Sequence, residues 1–218
     1  MILTKLTIIV ESKRPFLPDL NQARIRLACV EKTLRADGTQ PEVLTEIVDA
    51  RGAAAWSPDG RWIVTGGYEG GVRGLFKIPV DRVGPPVRIV EGEALHPVWS
   101  PDGNLIVYTG AQVNDSSPLL AVRPDGEPVE LPRIDVLRLG QRARFLPDGA
   151  GLVTMQGDGP VQDFWLLDLA TMKSRPLTRL DPPSTIRTFD ITPDGTRIVF
   201  DRFGDDSDIV LIELKPTG

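Results

Sequence analysis

Short apolar runs punctuated by turn residues fill most of this 218-residue chain. Ile63-Val64, Ile106-Val107, Leu152-Val153 and Ile198-Val199 each stand three and four residues beyond the glycine of a Pro-Asp-Gly triplet. Two residues before each triplet's proline comes one large apolar residue: Trp56, Trp99, Phe145 or Ile191. An apolar run on either side of a compact polar break predicts strand, tight turn, strand. No window holds apolar residues at helical spacing long enough to predict a substantial helix.

The triplets are Pro58-Asp59-Gly60, Pro101-Asp102-Gly103, Pro147-Asp148-Gly149 and Pro193-Asp194-Gly195, with prolines 43, 46 and 46 residues apart. Proline fixes φ, aspartate hydrogen-bonds its own backbone, and glycine accepts a left-handed conformation. Ser57 and Ser100 stand ready for the same local bonding. These aspartates therefore read as turn residues rather than catalytic ones.

A second register lies between the first marks. Asp37-Gly38, Asp81, Asp125-Gly126 and Asp168 recur at 44, 44 and 43 residues. Each follows an apolar run (Ile25 to Leu34, Leu75 to Val80, Leu119 to Val122, Phe164 to Leu167) and precedes another (Val43-Leu44, Val87 to Val90, Val129 to Leu131, Pro176-Leu177). Each unit thus holds four short antiparallel strands, the content of a propeller blade. The expected fold is all-β, a β-propeller of about four to five four-stranded blades, or part of one.

The chain reads as a single domain over residues 1–218. Its units span approximately 24–52 (partial), 53–95, 96–141, 142–185 and 186–214, the last without its outer strand. Two accounts of the ends stay open. Residues 1–10, with the apolar segment Ile2 to Val10, are a candidate closing strand that would cover an open sheet edge. Alternatively, the chain is the carboxy-terminal part of a larger propeller. Ser12 to Asn21, with Pro15 and Pro18, reads as a loop.

Composition narrows the functions. A net charge of −5, with no basic stripe among aromatics, disfavours nucleic acid as a partner. Arg133, Arg138, Arg142 and Arg144 form the densest basic stretch and read as a solvated blade edge. Cys29 is the single cysteine; it sits in an apolar run and reads as a small buried side chain. Met1 to Val10 is too short to span a bilayer, so no membrane insertion is expected. The compartment stays open: cytoplasmic if Met1 is the true start, extracytoplasmic if sequence precedes it.

Candidate chemistry is sparse. No Gly-x-Ser-x-Gly elbow occurs, and His96 is the only histidine, read as structural. Asp201, Asp205, Asp206 and Asp208 form one acidic cluster, read as a hairpin around Gly204, with cation binding left open. Asp205, Asp206 and Arg202 are the only residues an enzymatic reading nominates. Gly66-Gly67-Tyr68-Glu69-Gly70-Gly71 has no Lys-Ser/Thr behind it and is not a phosphate loop. Trp62, Tyr68, Trp165 and Phe203 fall outside the repeated aromatic position; packing is their simplest role, gripping a partner the other. No catalytic, cofactor or metal residue is assigned.

Trp56-Ser57-Pro58-Asp59-Gly60 and Trp99-Ser100-Pro101-Asp102-Gly103 resemble the signature of the TolB-like, WD40-like β-propeller repeat. Phe145 to Gly149 and Ile191 to Gly195 resemble degenerate copies. The end of the chain, from Ile198 to Ile212, is similar to the last repeat of propellers in bacterial multidomain proteins, behind a kinase or winged-helix regulator domain. The resemblance implies a rigid platform for protein contacts or sensing. A noncatalytic scaffold that binds a protein or peptide is therefore the expected function. A hydrolase- or lyase-like propeller, or a fragment of a kinase- or regulator-linked protein, is the alternative. An incomplete ring would also permit an edge-mediated dimer.

Overall fold

The structure, a computed structural model, describes residues 26–29, 32–35, 42–137, 142–158, 161–180, 186–202 and 208–213. The predicted strand Ile2 to Val10, the loop Ser12 to Asn21 and the turn Asp37-Gly38 lie outside them. Described residues form strands and turns only, arranged as consecutive antiparallel sheets. The first sheet holds β1 (Arg26–Cys29), β2 (Lys32–Arg35) and β3 (Glu42–Val43). The second holds β4 (Asp49–Trp56), β5 (Trp62–Glu69), β6 (Val72–Pro79) and β7 (Val87–Glu91). The third holds β8 (Leu95–Trp99), β9 (Ile106–Thr109) and β10 (Ser116–Val122), edged by β11 (Pro128–Val129) and β12 (Asp135–Leu137).

The fourth sheet holds β13 (Ala143–Phe145), β14 (Gly151–Asp158), β15 (Val161–Asp168) and β16 (Lys173–Pro176). The fifth holds β17 (Phe189–Ile191), β18 (Arg197–Arg202) and β19 (Asp208–Glu213). The leading strands β4, β8 and β13 pack in succession, as the inner strands of blades do.

Two strand assignments change. The run Ile25 to Leu34 is not one strand: Cys29 pairs with Lys32, so a hairpin of β1 and β2 occupies it. The third sheet's outer strand does not run through Leu131. Val129 pairs with Ala121 and Val136 with Ser117, so the chain leaves the sheet and returns. Pro132 lies in that excursion and has no N–H for a ladder bond. Ile134 uses the detour to enter the core.

The repeated turn is locked by its own side chains. Ser57 Oγ donates to Asp59 Oδ1 at 2.6 Å and accepts from Trp62 N–H at 2.9 Å. The same carboxylate oxygen accepts from Arg61 N–H at 3.0 Å. Ser100, Asp102, Asn104 and Leu105 repeat that arrangement, and Thr192, Asp194, Thr196 and Arg197 repeat it with threonine. Leu146 lacks the hydroxyl, yet Asp148 still accepts from Ala150 N–H at 2.9 Å. The glycines have positive φ, 69° at Gly60 and 78° at Gly103. A Cβ on Gly195 would meet Pro147 at 3.3 Å, and one on Gly103 would meet Pro58 at 3.9 Å, so successive turns nest against each other.

The core lies between sheets, which explains the paired apolar residues. Neighbours along a strand point to opposite faces. Across the three junctions from the second sheet to the fifth, the second residue of one pair meets the first residue of the next. Val64 and Ile106 meet between the second and third sheets, Val107 and Leu152 between the third and fourth, Val153 and Ile198 between the fourth and fifth. Phe164 stacks there within 5.0 Å of Phe189 and 5.1 Å of Phe200, centroid to centroid. Val199 breaks the series: it is half-buried, and its cross-strand partner Leu211 is exposed.

The turn hydroxyls also set a pH dependence. Ser57 and Ser100 lower the Asp59 and Asp102 pKa by hydrogen bonding, and Thr192 holds Asp194 at about 2 against an ordinary 3.8. A depressed carboxylate contributes stability above its unfolded pKa and loses it as pH falls through the folded one. Stability should therefore decline between about pH 4 and pH 2. Ser57→Ala should cost about 1 kcal/mol at pH 7 and flatten that decline, read by urea unfolding at both pH values. An unchanged midpoint at pH 7 would show that the hydroxyl does not lock the turn.

Candidate functional site

Antiparallel connectivity sorts the loops to two ends. The Pro-Asp-Gly turns and the turns at Asp81, Asp125 and Asp168 share one end. There Asp81 Oδ1 accepts from Val83 N–H, Asp125 Oδ1 from Glu127 N–H, and Asp168 Oδ1 from Ala170 and Thr171 N–H. Every one of these carboxylates is committed to a backbone amide. A hollow of about 290 Å³ between the first two turns is flanked by Trp62, Trp99, Asp59 and Asp102. Lys77 crosses it, 4.6 Å over the Trp62 ring, and donates to Pro124 O at 2.8 Å. That contact ties the second sheet to the third.

The opposite end is irregular. Gly70-Gly71 closes the β5–β6 hairpin, with φ of 57° and 82°, whereas Gly110 to Asp115 separate β9 from β10. Leu44 to Val48 lead into β4, and Gly92 to Ala94 into β8. Between the Leu44 to Val48 segment, the β5–β6 hairpin and the Gly92 to Ala94 connection lies a cleft of about 1000 Å³. Glycine makes it possible. A Cβ on Gly66 would come 2.0 Å from Ala94 O, so only glycine lets the β7–β8 connection lie this close. Gly67, Gly70, Gly71 and Gly92 then line the cleft without side chains to fill it. The glycine-rich stretch, which sequence excluded as a phosphate loop, shapes this opening.

Tyr68 stands in the cleft wall between two guanidinium groups, Arg51 at 5.9 Å and Arg73 at 5.5 Å from its ring centroid. Each arginine has an acidic partner. Arg51 Nη2 lies 2.6 Å from Asp49 Oδ2, and Arg73 Nη1 lies 2.8 Å from Glu93 Oε2. At the rim, Thr45 Oγ1 accepts the N–H of Ile47 at 3.1 Å. That local bond presents Glu46 and Ile47 outward, and the Ile47 side chain is 52% exposed. Of the four irregular aromatics, Tyr68 reaches this site, Trp62 serves the opposite end, Trp165 is half-buried, and Phe203 lies outside the described residues.

The arginine-rich stretch requires a correction. Arg133 is exposed and pairs with Asp135 at 2.9 Å, but Arg142 is only 4% exposed. Its guanidinium donates to Ile186 O at 2.8 Å and touches Met155 Sδ at 3.5 Å, bridging the fourth and fifth sheets. Burial lowers its pKa, opposed by the charge of Asp201. Arg144 also bridges, to Asp190 at 3.3 Å and over the Phe189 ring at 5.8 Å. Arg138 lies outside the described residues.

Asp201 has a structural assignment: its Oδ1 accepts from Arg187 N–H at 3.0 Å and Thr188 N–H at 2.8 Å. Asp205 and Asp206 lie outside the described residues, and for Arg202 and Asp208 only the backbone is described. Among the described residues no group of three His, Cys, Asp or Glu side chains is placed to hold a metal ion. His96 sits in β8 at φ 51°, at an irregularity in the β8–β9 register, with its ring near Gly52.

The fold is that of the TolB-like, WD40-like β-propellers. The WD40 family model (WD domain, G-beta repeat) matches residues 49–73, which include the first turn and Tyr68. TolB from Acinetobacter baumannii superposes with a TM-score of 0.64 at 18% identity, over 87% of this chain and 46% of that one. An oligogalacturonate lyase from Vibrio parahaemolyticus reaches 0.64 at 13% identity, over 87% and 59%. The propeller domain of the trilobed protease from Pyrococcus furiosus, with its open velcro topology, reaches 0.56 at 11% identity, over 84% and 58%. No curated protein matches the sequence. The chain spans about half the length of these solved structures, and likeness this distant speaks for the fold alone. No helix among the described residues is long and apolar enough to cross a membrane.

Asp201→Ala should destabilise the fold by about 2 kcal/mol, because two N–H groups lose their acceptor and buried Arg142 loses its nearby counter-charge. Urea unfolding measures it. A change below about 0.5 kcal/mol would show that the carboxylate does not anchor the approach to β17 against β18.

Proposed function

We propose that this chain is a noncatalytic propeller platform that binds a protein or peptide segment through the end opposite its Pro-Asp-Gly turns. The observation that carries this reading is the difference between the two ends. At one, repeated turns consume their own polar groups. At the other, connections differ from sheet to sheet and surround an open cleft of about 1000 Å³. Loops on a repeated scaffold vary without disturbing the sheets, which suits that end to recognition.

Propeller relatives of other kinds carry lyase or protease names, so the fold itself is neutral about chemistry. Acidic side chains are the obvious acid–base candidates in a chain with one histidine. The described turn aspartates are bound to backbone amides, which favours the reading without catalysis.

A photo-crosslinking amino acid placed at Ile47, in the cleft rim, and separately at Val83, on the opposite end, tests the assignment against a random peptide library. Selected peptides should crosslink at position 47 and not at 83, and the purified chain should turn over neither oligogalacturonate nor chromogenic peptide substrates. Crosslinking confined to position 83, or turnover of either substrate class, would contradict it.

A further inference from the structure

The ionisable groups around the cleft do not balance. Glu46, Asp49 and Glu93 line it together with Arg51 and Arg73. Both arginines are engaged twice, by a carboxylate and by the Tyr68 ring. An anionic ligand would have to displace Asp49 or Glu93 before either guanidinium became available. Glu46 is different: it is exposed, and its carboxylate has no partner among the described residues. The Thr45 bond to Ile47 N–H holds it at the rim rather than on a free strand end. Its neighbours there are aliphatic, Ile47 at 52% and Val43 at 40% exposed.

Resting on the reading of this cleft as the binding site, we propose that its occupant is a basic peptide segment in which Lys or Arg stands next to aliphatic side chains. The cation meets Glu46, and the flanking aliphatic groups cover Val43 and Ile47. The arginine–tyrosine–arginine stack forms the rigid wall behind them. A volume near 1000 Å³ accommodates several residues, more than a lone amine requires. The chain's net charge of −5 adds long-range attraction for such a partner.

Fluorescence anisotropy with capped, labelled peptides provides the test, using Gly-Leu-Lys-Leu-Gly, Gly-Leu-Glu-Leu-Gly and Gly-Gly-Lys-Gly-Gly. The first should bind best and weaken as salt is raised. Glu46→Gln should reduce its affinity about three- to fivefold, the worth of one exposed charge pair, and Ile47→Asn should reduce it as well. Both residues are exposed, so neither variant endangers folding. Preference for the acidic peptide, or tighter binding of the basic one to Glu46→Lys, would overturn the inference. Loss of that acidic binding in Ile47→Asp would leave the cleft as the binding site. If the lysine peptides fail to bind while library peptides crosslink at position 47, the basic-segment inference falls and the platform reading stands. If Ile47→Arg leaves the binding of every peptide unchanged, both fall.

Discussion

A four-stranded antiparallel meander has two faces and no means of covering either. Burial of each face by the neighbouring sheet is the constraint on which the rest of the molecule depends. Its signature is the adjacent pair of apolar residues in the second strand of each unit: Ile63-Val64, Ile106-Val107, Leu152-Val153 and Ile198-Val199. A sheet wet on one side would alternate apolar with polar at those positions. Instead both members are buried in three of the four pairs, and Ile106-Val107 and Leu152-Val153 each divide between two inter-sheet cores. The exception, Val199, marks the outward face of the fifth sheet.

Rigidity at one end frees the other. Nested turns, with proline of one unit against glycine of the next, fix the angle between sheets where loops are shortest. Lys77, Arg142 and Arg144 then tie neighbouring sheets through polar contacts. With the sheets so held, connections at the far end carry little structural duty. The cleft occupies that freedom, at the place where glycines in β5 let the β7–β8 connection sit close and leave open space beside it.

Local chemistry was legible in the sequence, and long-range chemistry was not. The turns could be read because proline, aspartate and glycine act within six residues of one another, and the hydrogen bonds of Ser57 and Asp59 bear that out. The β1–β2 hairpin was missed because no glycine, proline or aspartate marks it between Cys29 and Lys32. Arg142 was misjudged because its environment comes from Met155 and Ile186, far along the chain. The cleft had a faint signal in the glycine-rich stretch after Thr65. Glu46 and Ile47 gave none, since their importance comes from what they face rather than from their spacing.

The most direct test of inter-sheet burial is the additivity of two neighbouring substitutions, Leu152→Ala and Val153→Ala, in urea unfolding. The two side chains adjoin in sequence but fill different cores. Each is therefore expected to cost about 2–4 kcal/mol, and the double variant to equal their sum within about 0.5 kcal/mol. A negligible cost for either single change would mean that one face of the fourth sheet is not covered by a neighbour, contradicting the stacked arrangement.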